Sequence, residues 1–380
     1  MRILHLGKYY PPDTGGIESI NASLARGAVA AGMNATVLCF ANHAVHDEVD
    51  NGVVVHRVLQ TRKVASQPLS AAYIRRAADL ARDADVVHVH TPNMLAALAV
   101  LRLPGTVRIL IHWHSDVVGK GLLGQVLRPL ERAMLSRADC IVATSRAYAD
   151  ASASLAGYAA KIRVIPLGVD AATTAPRQDR RDLVAALPPA LRPFADGRPL
   201  VLSVGRLVRY KGYAVLIDAV HRMRVRASFI IVGAGPLHED LQARIDARGL
   251  QDRIILAGRL SDSTLEHLRL LADVFCMPSI ERSEAFGVAL IEAMASRMPL
   301  VATCIPGSGV PWVNLQDESG LNVKPADPQA LAKALDRLLE DDTLRARLAD
   351  GARARYEQLF TERAMVVATL NLYRDIMVKA

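Results

Sequence analysis

Residues 273–294 read DVFCMPSIERSEAFGVALIEAM and hold one full unit of the pattern that organises the chain. An apolar run at 273–277 ends at Pro278-Ser279, a charged loop follows, and a helix is predicted to begin near Phe286-Gly287. A short apolar run bounded by turn residues is typical of a strand buried on both faces. A strand, a loop and a helix in this order predict part of a βαβ unit.

The same alternation of short apolar runs and longer amphipathic stretches fills the chain. In the first half the predicted strands are 2–7, 35–40, 53–58, 85–90, 107–112 and 139–144, with helices at 17–32 and near 70–83. In the second half they are 200–204, 228–232, 253–257, 273–277, 299–303 and 320–323. Strands separated by helices predict an α/β fold with a doubly wound parallel sheet in each half.

The length of 380 residues exceeds the usual size of a single hydrophobic core, so two domains are expected. The stretch 173–198, with scattered Pro, Arg and Asp, is predicted to be a connection that includes a short helix. We therefore expect Rossmann-like domains at 1–172 and 199–361 that face a central cleft. The closing stretch is helical in pattern, and its last helix, at about 362–380, is expected to pack back on the first domain.

Composition narrows the class of protein. Hydrophobic residues make up 51% and the net charge is +8, which favours a globular protein with an anionic partner. The basic residues are dispersed and no nucleic-acid signature occurs, so no nucleic acid is expected. The four cysteines lie far apart, which argues against disulfides and structural zinc. No apolar run reaches the roughly 20 residues of a spanning helix, and Met1 leads directly into a strand, so a cytoplasmic protein is expected.

Three turns that follow predicted strands carry glycine together with groups suited to the phosphates or the base of a nucleotide. In the first, Gly15 and Gly16 let the backbone approach a ligand, and amides at the start of a helix favour an anion. In the second, Arg206 offers a bidentate fork and Lys211 a point charge. The third, Gly258-Arg259-Leu260, can line a base pocket with main-chain atoms. The alternatives are a flexible connector and solvated loop charges.

Two carboxylates flank the predicted start of the helix near Gly287. Glu284 lies in the loop before this helix and Glu292 lies two turns inside it, so they can contact opposite ends of one bound molecule. The free amides at the helix start suit a pyrophosphate. Glu284 is expected to meet a sugar ring and Glu292 the ribose hydroxyls, as acidic residues do in dinucleotide folds. The alternative makes Glu284 a helix cap and Glu292 a solvated charge.

Histidines alternate on two predicted strands that we expect to be neighbours: His88 and His90 on one, His112 and His114 on the other. Alternate residues share a strand face, so four imidazoles gathered round a metal would suggest a metal-dependent hydrolase. No carboxylate or cysteine stands at a recognisable ligand spacing, so no metal is expected. His114 lies at a strand end, where such a sheet delivers residues to its crevice. A structural histidine is the alternative.

Four stretches together resemble the family 4 retaining glycosyltransferases of the GT-B fold: SEAFGVALIEAM (283–294), GRLVRYKG (205–212), PPDTGGIE (11–18) and WHSD (113–116). The resemblance covers nearly the whole chain. It implies transfer of a hexose from a nucleotide-diphosphate sugar with retention of configuration. It places the donor mainly on the second domain and the acceptor on the first, and it implies no divalent metal or other cofactor.

The resemblance also implies roles for the residues singled out above. Arg206 and Lys211 would hold the diphosphate and offset leaving-group charge, and His114 would sit beside the sugar near the anomeric centre. The remaining contacts with the donor would come from Glu284 and the backbone of Phe286, Gly287 and Val288 at the sugar, Glu292 at the ribose, Gly258 and Leu260 at the base, and Gly15 and Gly16 over the phosphates.

The segments HWHSD (112–116) and GVPWVN (309–314) resemble the corresponding segments of bacterial mannosyl- and rhamnosyltransferases of polysaccharide and lipopolysaccharide assembly, which use GDP-linked donors. The expected acceptor is a saccharide or lipid-linked saccharide. Residues 119–137 are both basic and apolar, as in a helix that lies on an anionic inner-membrane surface, although an ordinary core-facing helix has the same pattern. The other open hypotheses are a UDP-sugar-dependent transferase, a sugar-nucleotide epimerase and a non-catalytic nucleotide-sugar sensor.

Overall fold

The computed structural model describes residues 1–13, 15–41, 47–64, 67–116, 121–170, 179–195 and 197–378, with the backbone alone at 121–125. Contacts between residues divide the chain into two compact units. The first unit comprises residues 1–168 and 362–380, and the second comprises residues 169–361.

The first unit is built on an eight-stranded sheet in the order β10-β9-β8-β7-β1-β2-β4-β3, parallel except at β3. Its strands are β1 (Arg2–Leu6), β2 (Asn34–Ala41), β3 (Asp47–Asp50), β4 (Val53–Leu59), β7 (Val86–Thr91), β8 (Arg108–Trp113), β9 (Cys140–Ala143) and β10 (Ile162–Val164), and a separate hairpin joins β5 (Arg62–Val64) to β6 (Gln67–Leu69). Its first five helices are α1 (Gly16–Ala30), α2 (Ala71–Ala81), α3 (Met94–Val100), α4 (Gly121–Arg137) and α5 (Arg146–Ala151), and a 3₁₀ turn spans Ala159–Lys161.

The second unit has a six-stranded, wholly parallel sheet in the order β13-β12-β11-β14-β15-β16. Its strands are β11 (Leu200–Val204), β12 (Ser228–Val232), β13 (Ile254–Gly258), β14 (Val274–Met277), β15 (Leu300–Thr303) and β16 (Gly320–Val323). Its helices are α6 (Arg180–Ala186), α7 (Arg192–Ala195), α8 (Tyr213–Arg222), α9 (His238–Ala247), α10 (Asp262–Leu271), α11 (Val288–Ala295), α12 (Val310–Val313), α13 (Pro328–Glu340) and α14 (Asp342–Leu359), with a 3₁₀ turn at Arg209–Lys211.

The last helix, α15 (Glu362–Val378), belongs to the first unit although it follows the second in sequence. It packs beside α1, where Gly27 allows the two backbones to approach, because a Cβ atom at that position would collide with Val366. Ser23 donates a hydrogen bond of 2.9 Å to Glu362, and the Tyr373 hydroxyl lies 2.6 Å from His88 Nδ1. A helix from the far end of the chain thus helps to cover the first sheet.

The α/β prediction is confirmed, and every strand predicted from an apolar run forms within a residue or two of its expected bounds. The prediction missed β3, β5, β6 and β10. Two of these, DEVD at β3 and RKV at β5, are short and charged, so no apolar run marks them. Both sheets reverse their strand order once, between β1 and β7 and between β11 and β14. In open parallel sheets such a switch point is where ligands bind, outside the carboxyl ends of the strands.

Among the described residues, none of the helices combines the length and the apolar character that crossing a bilayer requires.

Candidate active site

The switch point of the second sheet brings together two side chains that lie 73 residues apart. Lys211 ends the turn that follows β11, and Glu284 lies in the loop that follows β14. Lys211 Nζ is 2.5 Å from Glu284 Oε2, and the same oxygen accepts a hydrogen bond of 2.9 Å from Ser279 Oγ. The Lys211 and Glu284 side chains are only 13% and 10% exposed. The sequence predicted each as a separate ligand group, whereas the structure makes them an ion pair.

The two turns are locked against each other by backbone contacts. Gly212 has a φ of +71°, and a Cβ atom there would strike the carbonyl oxygen of Pro278. The Ile280 N–H donates to the Tyr210 carbonyl oxygen at 2.8 Å. Glycine is therefore required at 212 both for the left-handed conformation and for the close approach of the turn after β14. This contact fixes the distance between Lys211 and Glu284.

Burial and the ion pair act on Lys211 in opposite directions. Burial alone lowers the pKa of its ammonium group, but attraction to the Glu284 carboxylate, with contributions from Tyr210 and Tyr213, more than offsets this and raises the pKa above its ordinary value. Lys211 therefore remains a cation in a nearly water-free position. The other predicted cation of this turn, Arg206, is exposed, and within the described part of the chain its guanidinium group has no hydrogen bond or ion pair.

The loop that carries Glu284 is held by hydrogen bonds from the turn before α12. Ser308 Oγ donates to the Glu284 carbonyl oxygen at 2.5 Å, and the Gly309 N–H donates to the Ala285 carbonyl oxygen at 2.7 Å. Arg282 Nε donates to the Gly307 carbonyl oxygen at 2.9 Å. The start of the GVPWVN segment thus holds the backbone of the loop that carries Glu284. The sequence analysis missed this role because the two stretches lie about 25 residues apart.

The start of α11 matches the predicted start of this helix. Gly287 precedes its first residue, Val288, with a φ of +91°. The Phe286 ring is buried and packs edge-on against Phe360, with Trp312 beside it. The first N–H groups of a helix have no acceptor within the helix itself, so those at Gly287 and Val288 are suited to donate to a ligand oxygen.

Glu292 lies inside α11 as predicted, and its carboxylate accepts a hydrogen bond of 2.6 Å from Arg269 Nη2 on α10. The Glu292 side chain remains 32% exposed. Arg269 was missed by the sequence analysis, since nothing in its local sequence distinguishes it from other solvent-facing arginines. Gly258 ends β13 with a φ of +67°, and its carbonyl oxygen accepts from the Gly233 N–H at 2.8 Å. Gly258 and Leu260 therefore lie at the carboxyl edge of the same sheet, two strands away from β11.

In the first unit, the Gly15-Gly16 turn follows β1 at the switch point of the larger sheet, with Gly15 directly before α1. Residues 10–13 of this loop are held by Arg57, which is buried. Its Nη1 donates to the Tyr10 carbonyl oxygen at 3.3 Å and its Nη2 to the Pro11 carbonyl oxygen at 2.5 Å. Thr14 lies outside the described residues.

The four predicted histidines gather on one sheet with a fifth, His5, and all five are buried: His5, His88, His90, His112 and His114. The ring centres of neighbouring members lie 4.1 to 5.7 Å apart. The sequence analysis missed His5 because it is the only histidine of β1, and the pairing of β1 with β7 places it beside His88. Burial lowers the pKa of His5 and of His114 to about 3, and it lowers the pKa of the other three well below the usual value.

Two parallel-sheet α/β units, each with a switch point, are characteristic of the GT-B fold, which similar solved structures share. The family models and curated relatives place the chain among the glycosyltransferases of this fold. Residues 14–173 match the family described as Glycosyltransferase Family 4, and residues 191–355 match Glycosyl transferases group 1. The chain belongs to the family 4 glycosyltransferases, which confirms the predicted family, fold class and transferase activity.

Three similar proteins illustrate the relationship. O-antigen chain mannosyltransferase C of Escherichia coli is 32% identical, with 99% of each chain covered. D-rhamnosyltransferase WbpZ of Pseudomonas aeruginosa is 33% identical, with 95% of this chain and 92% of that protein covered. Among solved structures, sucrose-phosphate synthase of Thermosynechococcus elongatus superimposes with a TM-score of 0.83 at 23% identity, and both chains are covered completely. Family members act on nucleotide-sugar donors.

Proposed function

We propose that this glycosyltransferase transfers a hexose of the mannose or rhamnose type from a GDP-linked sugar, with retention of anomeric configuration. The acceptor is a saccharide or lipid-linked saccharide of bacterial polysaccharide or lipopolysaccharide assembly. The names of the two bacterial relatives, a mannosyltransferase of O-antigen chains and a D-rhamnosyltransferase, support the sugar class and the pathway class. The GDP-linked donor follows from the resemblance of HWHSD and GVPWVN to transferases of that kind.

The observation that carries the proposal is the Lys211–Glu284 pair at the switch point of the second sheet. Lys211 and Ser279 both bind Oε2 of Glu284, which leaves Oε1 to accept from a hydroxyl group of the donor sugar. Arg206 is an exposed cation of the same turn and is suited to the diphosphate, which gains negative charge as the glycosidic bond breaks. The amides at Gly287 and Val288 offer further donors to the diphosphate.

The remaining donor contacts belong to the same proposal. Glu292, oriented by Arg269, accepts from the ribose hydroxyls, and the backbone at Gly258 and Leu260 lines the base. Gly15 and Gly16 approach the phosphates, and His114 contacts the sugar that is transferred. No residue is assigned as a nucleophile. The second unit is proposed to bind the nucleotide sugar and the first unit the acceptor.

The direct test compares three nucleotides and two variants. Binding to the native state alone raises the unfolding temperature, so GDP is expected to raise it more than UDP or ADP at equal concentration. Glu284→Gln is expected to lower kcat at least about a hundredfold while GDP binding changes little, because its contact is with the sugar. Arg206→Ala is expected to weaken both GDP binding and turnover.

A matched control comes from the same turn. Arg209 is equally cationic, its side chain is 88% exposed, and it lies 3.8 Å from Glu281, so Arg209→Ala is expected to retain activity. Full activity of the Glu284 variant would refute the assignment of the site. Sugar release that does not depend on an added acceptor would identify an epimerase or hydrolase instead, and a larger shift with UDP would replace the GDP-linked donor.

We also propose that α4 contacts an anionic membrane surface during transfer to a lipid-linked acceptor. Val126 is 72% exposed on this helix, and Arg128 and Arg132 beside it are exposed as well. An apolar side chain among cations suits the interface of a bilayer with acidic lipids. The side chains of 121–125 lie outside the described residues, as do residues 119 and 120 of the predicted segment.

A further inference from the structure

Three of the buried histidines form a continuous hydrogen-bonded chain. His5 Nδ1 lies 3.2 Å from His90 Nε2, and His90 Nδ1 lies 3.1 Å from His114 Nε2. Both pairs of rings are inclined by only 17°. At these distances the N–H of one ring donates to the ring nitrogen of the next. The chain leads from β1 through β7 to the end of β8, where His114 lies.

Each ring of the chain carries a single proton, because burial holds the pKa of all three far below neutrality. A neutral imidazole has one N–H and one unprotonated nitrogen. The direction of one hydrogen bond therefore fixes the tautomer of every ring in the chain. Whatever sets the proton of His5 also sets the proton of His114.

The far end of the chain meets Asn21 of α1. Burial is the main influence on the pKa of His5, and the Asn21 side chain acts in the opposite direction by favouring the protonated ring. An amide oxygen close to a ring N–H has this effect. The Asn21 amide atoms and His5 Nε2 are all buried, and none of them makes a hydrogen bond within the described residues, so the amide oxygen is available to accept from a proton on His5 Nε2.

We infer that His5 and His90 are positioning residues that hold His114 in its Nε2–H tautomer, with the unprotonated Nδ1 as a hydrogen-bond acceptor for a sugar hydroxyl. His5 then carries its proton on Nε2 and accepts from His90 Nε2, and His90 Nδ1 accepts from His114 Nε2. His114 Nδ1 is buried and has no partner among the described residues. The sugar contact rests on the proposed function, whereas the tautomer does not.

The same histidines meet a distance criterion for metal ligands, since nitrogens of His5, His88 and His90, and of His90, His112 and His114, lie within 4.8 Å of one another. A metal must lie in the plane of each ring that binds it through the nitrogen lone pair. The rings of His112 and His114 are nearly parallel at 4.1 Å, inclined by 11°, so one ion cannot lie in both planes. In the other group the rings of His88 and His90 are stacked in a similar way, at 4.4 Å with an inclination of 22°. The hydrogen-bonded chain agrees with these ring orientations.

The test is a ¹⁵N spectrum of the full-length protein labelled at histidine, with the His114 signals assigned by their loss in His114→Gln. The expected result is a protonated Nε2 and an unprotonated Nδ1 for His114. His90→Phe keeps a ring but breaks the chain, and is expected to produce a mixture of tautomers or the opposite one. His112→Phe is the matched control, because His112 belongs to the same stack and neither of its nitrogens has a partner among the described residues.

Activity gives a second measurement. His90→Phe is expected to lower kcat about tenfold, the equivalent of one hydrogen bond of about 1.4 kcal/mol, and His112→Phe to change it by less than about twofold. Should His90→Phe fold poorly, Asn21→Leu perturbs the chain from outside the ring stack and is expected to alter the same ¹⁵N signals.

Four results would overturn the inference: a protonated Nδ1 on His114 in the parent protein, an unchanged tautomer in His90→Phe, equal effects of the His90 and His112 variants, or a stoichiometric metal bound by the histidines. The ¹⁵N result is independent of sugar transfer. An inactive protein with the stated tautomer would therefore contradict the proposed function alone.

Discussion

Mild acid is expected to destabilise the first unit, because its five core histidines must be neutral in the folded state. In the unfolded chain each histidine takes up a proton with a pKa of about 6.5, whereas in the folded state burial holds the pKa of His5 and His114 at about 3 and that of the other three well below the usual value. Between these values the unfolded state binds more protons than the folded state. Stability is therefore complete above pH 6.5 and falls as the pH is lowered toward 3.

The size of the effect follows from the same pKa values. At a pH of about 5.5, one histidine with an unfolded pKa of about 6.5 and a much lower folded pKa costs about 1.4 kcal/mol of stability relative to a pH of about 8. Five such residues together cost about 7 kcal/mol, which is comparable to the whole stability of a typical domain, about 5 to 15 kcal/mol. The first unit is thus expected to be marginal at this pH.

Tryptophan fluorescence can follow each unit separately, because the protein has two tryptophans, Trp113 in the first unit and Trp312 in the second. With Trp312→Phe as background, urea unfolding is recorded through Trp113 at both pH values. The converse variant, Trp113→Phe, reports on the second unit, where no histidine is among the buried polar residues that the structure describes. The Trp113 transition is expected to move to much lower urea in acid.

His112→Phe supplies a quantitative control, since removal of one buried histidine is expected to reduce the acid-dependent loss by about 1.4 kcal/mol. A Trp113 transition that is the same at both pH values would refute the reasoning, because it would mean that the histidines are protonated equally in the folded and unfolded states.

Two further predictions concern Gly212, which lies where the two turns of the candidate site touch, and α4, the helix proposed to contact a membrane. Gly212→Ala is expected to lower the free energy of unfolding of the second unit by about 3 kcal/mol or more, because residue 212 has a left-handed φ of +71° and the added Cβ would collide with the Pro278 carbonyl oxygen. Gly249→Ala is the control: φ is +62° there, but no atom lies within 4 Å of the added Cβ, so we expect a loss of only about 1 kcal/mol. Urea unfolding measures both. The protein is expected to sediment with anionic vesicles at low salt, and less so after Val126→Asp, because both apolar burial and charge attraction contribute; equal sedimentation with neutral vesicles would contradict the proposal.

Much of the fold was predictable because parallel strands buried on both faces leave continuous apolar runs in the sequence. LVLSV at β11 and VFCM at β14 are such runs, and both strands form where they were expected. The elements that were missed are those whose residues do not carry this signal, such as DEVD at β3, which pairs at the sheet edge with β4 and is largely exposed. Their strand conformation is set by the neighbouring strand rather than by their own composition.

The sequence predicted candidate residues for the site but not the contacts between them. Lys211 and Glu284 each stand after a predicted strand, a position where ligand-binding residues of such sheets are found. That they bind each other depends on the strand order, which puts β11 next to β14, and on the contact of Gly212 with Pro278. Arg269 beside Glu292 is a similar case, because a contact across 23 residues leaves no local pattern.

The sequence by itself determined the α/β class, because hydrophobic period is a local property, and the resemblance of its motifs indicated the family. It also predicted a set of residues to bind a nucleotide sugar. Only the tertiary structure decided which of those residues touch. In the folded protein Lys211 and Glu284, which were predicted as separate ligand-binding groups, form an ion pair. His5 contacts histidines more than 80 residues away, and α15, which follows the second unit in sequence, packs in the first unit. These contacts are set by the order of strands in each sheet, which depends on the packing of the whole unit.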